Sequence, residues 1–305
     1  MSTLFLALAP IFSLIMIGAF LKNSFFKNEQ FWQELDKLTY YILIPSMLIY
    51  KLANASIPNG YEALDMVKVI FLTLILISIV LIVIQKILKF DGAAFSSIYQ
   101  GAVRYNTYVY LALIDTYLGN EGMVLAALLI TFAIPFLNIL SVSIFSIYVN
   151  EGGFSLSRFS KFIVSNPLIL ACLVGGFLNF SGIGLPFIFK PLFFMLGSPG
   201  IPLGLISIGA GLSLGAIFGL RADFWISSFF KLILFPMVTL YFSYLFGLNE
   251  IKTMVVALFA AMPTAASSYI LARQMGGNVG LMSSIITGQT LLAFGTIFAF
   301  LHFLL

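Results

Sequence analysis

Charge is what this chain has least of. Of its 305 residues only 9% are Asp, Glu, Lys or Arg, whereas a soluble domain carries about a quarter. So few charges cannot cover a surface in water, which excludes an ordinary soluble fold. Cysteine is almost missing as well. A single Cys172 makes no intramolecular disulfide and no cysteine cluster for zinc, and its apolar setting reads as a small packed hydrophobe. The one histidine, His302, lies three residues from the end, so neither a metal site nor a histidine proton relay is expected. No basic patch is interleaved with aromatics, so the net charge of +4 implies no nucleic-acid partner. No cofactor is called for, and sodium is not indicated.

What the chain does have is long apolar runs. It is 61% hydrophobic, and the runs recur over its whole length, which makes it an all-α polytopic membrane protein with the lipid bilayer as its solvent. At about 20 residues per crossing ten spans are expected, near 3–21, 36–55, 65–87, 93–117, 123–148, 163–181, 190–215, 224–246, 251–273 and 281–304. The opening MSTLFLALAP has no basic residue before its apolar stretch, so it reads as a retained first span rather than a cleaved signal. Loops after odd-numbered spans hold Lys22, Lys27, Lys86, Lys89, Arg158, Lys161 and Arg221; the other side holds little beyond Lys51, Lys190 and Lys252. The basic side is cytoplasmic. The expected placement is therefore a multi-pass protein of the cell (inner) membrane with both termini outside the cytoplasm.

The two halves, 1–150 and 151–305, share a pattern. Pro10 matches Pro167, Gly18 matches Gly175, Phe20-Leu21 matches Phe177-Leu178 and Pro45 matches Pro202, all 157 apart (167 − 10). Gly119-Asn120 matches Gly277-Asn278, now 158 apart. Five spans per copy is an odd number, so the second copy enters the bilayer from the opposite side. The result is an inverted repeat of the kind many secondary transporters use.

The fourth and ninth spans each carry an interruption. The first reads RYNTYVYLALID (104–115) and the second AAMPTAASSYILARQMGGN (260–278). Asn106 falls on Thr264 (264 − 106 = 158) and Tyr105 on Pro263. Pro263 has no N–H to continue a helix, and Asn and Thr are good N-caps. Each span is expected to stop in mid-membrane and restart, at Asn106-Thr107 and at Thr264. Lipid cannot satisfy the backbone so exposed, which places both breaks beside protein or a water-filled cavity. Two helix N-termini and Arg104 would then face one point, a site for a negative group such as a carboxylate. The expected binding residues are Arg104, Asn106, Thr107, Pro263 and Thr264, with Tyr105, Pro45, Pro202, Asn138 and Gln289 as further lining.

Other polar residues read as ordinary. Asp115 and Arg273 are placed at opposite interfaces. Lys231 is moderately deep if its span starts at Trp225 and snorkels if that stretch is interfacial; snorkelling is the favoured placement. Gly200, Gly204, Gly211 and Gly215 have the spacing of close helix packing.

With these motifs in place, and with LTYYILIPSMLIYKLA (38–53), SNPLILACLVGG (165–176) and PGIPLGLISIGAGLSL (199–214) in the same order, the chain resembles the auxin efflux carrier family in its short bacterial form. The resemblance covers essentially the whole chain. It implies a ten-helix inverted fold related to bile-acid sodium symporters. Helices 1, 2, 6 and 7 would form a scaffold, helices 3–5 and 8–10 a transport unit, and helices 4 and 9 would cross at their breaks. The family's crossover asparagine and proline fall on Asn106 and Pro263. A homodimer is compatible with it. The long hydrophilic central loop of plant members is missing here.

The function these readings imply is a secondary transporter, an exporter by preference, of a small organic anion such as a carboxylate or dicarboxylate. It would work by alternating access with an elevator or rocking motion. A sodium-coupled importer of bile-acid type is the alternative. A channel is disfavoured by paired breaks. An intramembrane enzyme lacks a mid-membrane Ser–His pair or an aspartate-rich metal motif, so the chain is not read as an enzyme.

Overall fold

The computed structural model describes residues 2–55, 61–149, 166–213, 215 and 221–304. Arg158 and Lys161 of the expected cytoplasmic link, and the first residues of the sixth span, lie outside the described residues. Every regular element among those described is helical.

The chain opens with α1 (Ser2–Ser24) and the short, charged α2 (Glu29–Leu38), capped by the Asn28 side chain, which accepts from the Gln30 amide. A π-helical turn at Thr39–Leu43 joins α2 to α3 (Ile44–Ala53). Pro45 explains that turn: its ring crowds the carbonyl four residues back, at Tyr41, and the helix widens there. After α4 (Tyr61–Leu88) come α5 (Gly92–Val103) and α6 (Thr107–Tyr148). Gly119 has φ of 60° and bends α6 into two helical pieces. Only glycine takes that backbone freely.

The second half runs through α7 (Pro167–Phe180), α8 (Phe189–Gly197), α9 (Gly200–Ala210) and α10 (Ala222–Phe229). A second π-helical turn, Phe230–Leu234, leads into α11 (Phe235–Leu245) and again precedes a proline, Pro236. Then come α12 (Glu250–Ala261), α13 (Ser267–Met275) and α14 (Val279–Leu304).

By length and composition, 64–88, 92–148, 189–210, 222–245 and 279–302 are helical stretches able to cross a bilayer, with shorter apolar helices at 8–24 and 167–180. The expected fourth and fifth spans share the 92–148 stretch. The second span starts in the charged α2, and the ninth is split at 262–266. The exterior is apolar: Phe187 is 95% exposed and Tyr244 84%. Such a surface is stable only against lipid, so this is a membrane protein.

Glycines set the closest helix contacts. A Cβ on Gly18 in α1 would lie 1.9 Å from the Ile206 carbonyl oxygen of α9, and one on Gly175 in α7 would lie 3.2 Å from Cα of Ile49 in α3. The two contacts share one offset, 175 − 18 = 157 and 206 − 49 = 157. Gly200 packs on the Leu43–Ile44 backbone and Gly204 on the Tyr108 ring, as the glycine spacing suggests, but Gly215 faces open space and Gly211 meets only carbonyls of its own helix. Cys172 is buried, its thiol donating to the Ala127 carbonyl at 3.5 Å. At one end of α6, Asp115 is paired with Lys51 of α3 at 2.9 Å, and Asn120 accepts from the same amine.

Candidate functional site

Both expected interruptions are present, and they touch. Val103 ends α5, and Arg104 takes an extended backbone with ψ of 158°. Asn106 then starts α6 as its N-cap, its side-chain oxygen accepting from the Tyr108 and Val109 amides at 3.1 and 3.2 Å. In the second half Met262 is extended, ψ 145°, and the chain is irregular to Ala265. The Asn106 amide donates to the Pro263 carbonyl at 2.8 Å. The backbone freed by one break is thus satisfied by the other, as a dry interior demands.

The second break departs from expectation. Thr264 does not cap the following helix: α13 begins at Ser267, its N-cap is Ala266, and no side chain caps it. The reason is that Thr264 is held elsewhere. Its amide donates to Oε1 of Gln289 at 3.0 Å and its hydroxyl to the Gln100 carbonyl at 3.3 Å. Gln289, on α14, also donates to the Gly101 carbonyl at 3.1 Å. One buried glutamine side chain therefore ties the first break to the second. Its amide has donors and an acceptor to serve an N–H on one segment and a C=O on the other. Gln100 adds a donation to the Ser268 carbonyl at 3.4 Å.

Arg104 is partly exposed. Its guanidinium reaches Oε1 of Gln100 and Oδ1 of Asn138, each at 3.2 Å. Both acceptors are neutral amides, and no carboxylate among the described residues forms a salt bridge with Arg104. Tyr40, in the first π-helical turn, lies within electrostatic range of the guanidinium. Thr107 and Tyr108, just beyond the cap, are also partly exposed. These residues border one side of the crossing.

The expected lining residues divide. Asn138 holds Arg104, and Gln289 is a structural tie. Tyr105 is buried, its ring 4.0 Å from that of Phe259 in α12, so it packs the back of the crossing instead of lining a cavity. Pro45 is buried and shapes the first π-helical turn, and Pro202 is exposed in the first turn of α9. Gln100 and Ser227 escaped sequence reasoning. Each is a polar residue inside an apolar run, which is the signal that marks them. Lys231 needs correcting outright. It does not snorkel: the residue is fully buried, in the second π-helical turn, with its amine 4.2 Å from the Phe235 ring centroid. The widened turn before Pro236 points the side chain inward, a rotation that spacing alone does not reveal.

The crossing thus gathers a capped helix start, a cluster of amides and a partly exposed guanidinium that no carboxylate among the described residues neutralises. The comparisons place that arrangement in a class: residues 155–301, just under half of the chain, match the family model described as membrane transport protein. Over 282 residues the chain is also 25% identical to a protein of Methanothermobacter thermautotrophicus named "Uncharacterized transporter", covering 92% of this chain and 91% of that one. Both likenesses are to membrane transport proteins, which supports a transporter. The resemblance read from the motifs agrees with both matches, to a membrane transport protein family and to a named transporter.

Proposed function

We propose that the protein is a secondary carrier of a small organic anion, held between the two breaks and moved by alternating access. The observation that carries this reading is Arg104. A cation in the middle of a span costs about 2.5–3.5 kcal/mol even on lenient scales, and here it meets only neutral amides. A bound carboxylate would complete its coordination in bidentate fashion. The first turn of α6, whose N-cap Asn106 lies two residues beyond Arg104, adds partial positive charge.

The division into two inverted halves is supported by the matched Gly18–Ile206 and Gly175–Ile49 contacts. On this reading α1–α3 and α7–α9 form the scaffold, while the crossing helices and their neighbours move against it in an elevator or rocking motion. The protein sits in the cell (inner) membrane with both termini outside the cytoplasm. Export down the membrane potential needs no coupling ion: an anion leaving a negative interior gains about 2.3 kcal/mol per charge per 100 mV, roughly fifty-fold in concentration.

The test is a thermal-shift screen with malate, malonate and monocarboxylates, repeated on Arg104→Ala and Asn106→Ala. Loss of the charged contact lowers affinity by about tenfold to a hundredfold. Normal binding by both variants overturns the site. Uptake into vesicles under an imposed potential, with no sodium or proton gradient, tests the energy source.

A further inference from the structure

Lys231 is a buried amine that the carrier reading above does not use. It is fully enclosed, and Nζ has no hydrogen-bond partner among the described residues. Enclosing an ammonium without an acceptor is among the costliest arrangements a fold can contain. The ring face of Phe235, 4.2 Å from the amine, offsets only part of that cost.

Its position is specific. Four residues earlier, the Ser227 hydroxyl donates to the Ile98 carbonyl at 3.0 Å and lies 3.5 Å from Nε2 of Gln289. Four residues later, Phe235 meets the ring of Phe259, which packs on Tyr105. Residues 227–235 therefore run alongside residues 98–105, and Lys231 lies level with the crossing, on the side away from the partly exposed Arg104 face.

The elements packed on the turn are α5, α10, α11, α12 and α14. None offers the amine a counter-charge. Tyr99 of α5 is bonded to Ser78. Asp223 is in the first turn of α10. Tyr241 and Tyr244 of α11 are exposed. Glu250 and Lys252 stand at the start of α12, and His302 is in the last turn of α14.

We propose that Lys231 is a proton-binding site whose occupancy follows the conformation of the crossing. Enclosed as here, the amine carries no proton. When the turn swings away from α5 and α14, breaking the Ser227–Gln289 contact, water reaches the amine, which takes a proton from it and returns that proton on closure. The π-helical turn supplies the hinge: it interrupts the regular helical ladder next to Pro236, the kind of place where helices bend. This rests on the carrier reading for its link to transport, but the proton site itself can be tested without any substrate.

The experiment measures the thermal midpoint of the full-length protein in detergent from pH 7 to pH 10, for wild type, Lys231→Met and Lys231→Gln. The unfolded lysine gains a proton below about pH 10.4, and the enclosed one does not. The wild-type midpoint therefore falls, relative to both variants, as the pH is lowered. A purely packing role shifts the midpoints by a constant instead, and parallel profiles for wild type and variant overturn the proposal. If one variant does not fold, the other carries the comparison. If neither folds, dye-monitored proton uptake on unfolding the wild type at pH 8.5 decides between an enclosed amine that lacks its proton (uptake) and one that holds it (no excess uptake, which overturns the proposal). In vesicles, exchange of malonate should persist in Lys231→Met while its response to an imposed pH gradient drops by about tenfold. If wild type moves no malate or malonate, the carrier reading fails for those probes and the midpoint difference still stands.

Discussion

The two breaks occupy matched positions and are satisfied in different ways. The first caps its own helix, although its Asn106 amide still donates to the Pro263 carbonyl. Asn106 caps its own helix through Tyr108 and Val109, and the whole stretch from Tyr105 to Asn106 is buried. The second borrows its support: Thr264 is held by Gln289 from α14 and by a carbonyl of α5, while Ala266 and Ser267 at the head of α13 are exposed and uncapped. Matched sequence positions thus produced one interruption whose following helix is capped by its own side chain and one whose following helix is not. An element secured only by distant partners is the one free to rearrange when those partners move. The second break is therefore expected to open locally more readily than the first.

The comparison can be broken in order of effect. Gln289→Leu removes the tie and leaves the Thr264 N–H and Gly101 C=O unpaired in the interior, a loss of about 2–5 kcal/mol for two buried groups, read as a lower thermal midpoint or failure to purify. Gly101→Val should cost about 1–3 kcal/mol by overpacking, because a Cβ there would lie 2.2 Å from the Ser227 hydroxyl and 2.6 Å from Ile285. The same melting assay measures it. Asn106→Ala deletes the cap of the first break for about 1 kcal/mol. Asn106→Asp restores the cap but sets a negative charge beside Arg104, so its midpoint recovers while malonate binding does not. Thr264→Val loses the hydroxyl's two long neutral contacts, to the Gln100 carbonyl at 3.3 Å and the Ser268 hydroxyl at 3.4 Å, together worth about 0.5–1.5 kcal/mol. It should be the mildest change at the crossing, yet it should raise amide exchange across 264–268 without raising it at 106–109. Smallest of all, Lys51→Ala removes a partly exposed ion pair to Asp115 and should shift the midpoint by less than about 1 kcal/mol equivalent.

Much of the crossing is legible in the amino-acid sequence. The interruption at Asn106 announces itself because a cap residue and an arginine have no business in a lipid-facing run. Pro263 announces the second for the same reason. The inward placement of Lys231 is not legible, because helical spacing assumes 3.6 residues per turn and the turn before Pro236 is wider. Pro236 is visible, but its effect depends on whether the neighbouring helices leave room for the bulge. Nor does anything local mark Gln289 as the tie between breaks. It lies 25 residues beyond Thr264 on another helix, and a glutamine in an apolar helix reads equally as a cavity residue or as a bond to any neighbour.

By itself the sequence determined the solvent, the helical class and where two of the spans must stop. Those follow from the scarcity of charge and from residues that cannot continue a helix, which are properties of each stretch alone. Tertiary structure alone decided which groups repair the stopped spans, and which of the two basic side chains near the crossing, Arg104 or Lys231, keeps hydrogen-bond partners. Those outcomes depend on what a neighbouring helix places within hydrogen-bonding reach, and no stretch of chain carries that information within itself.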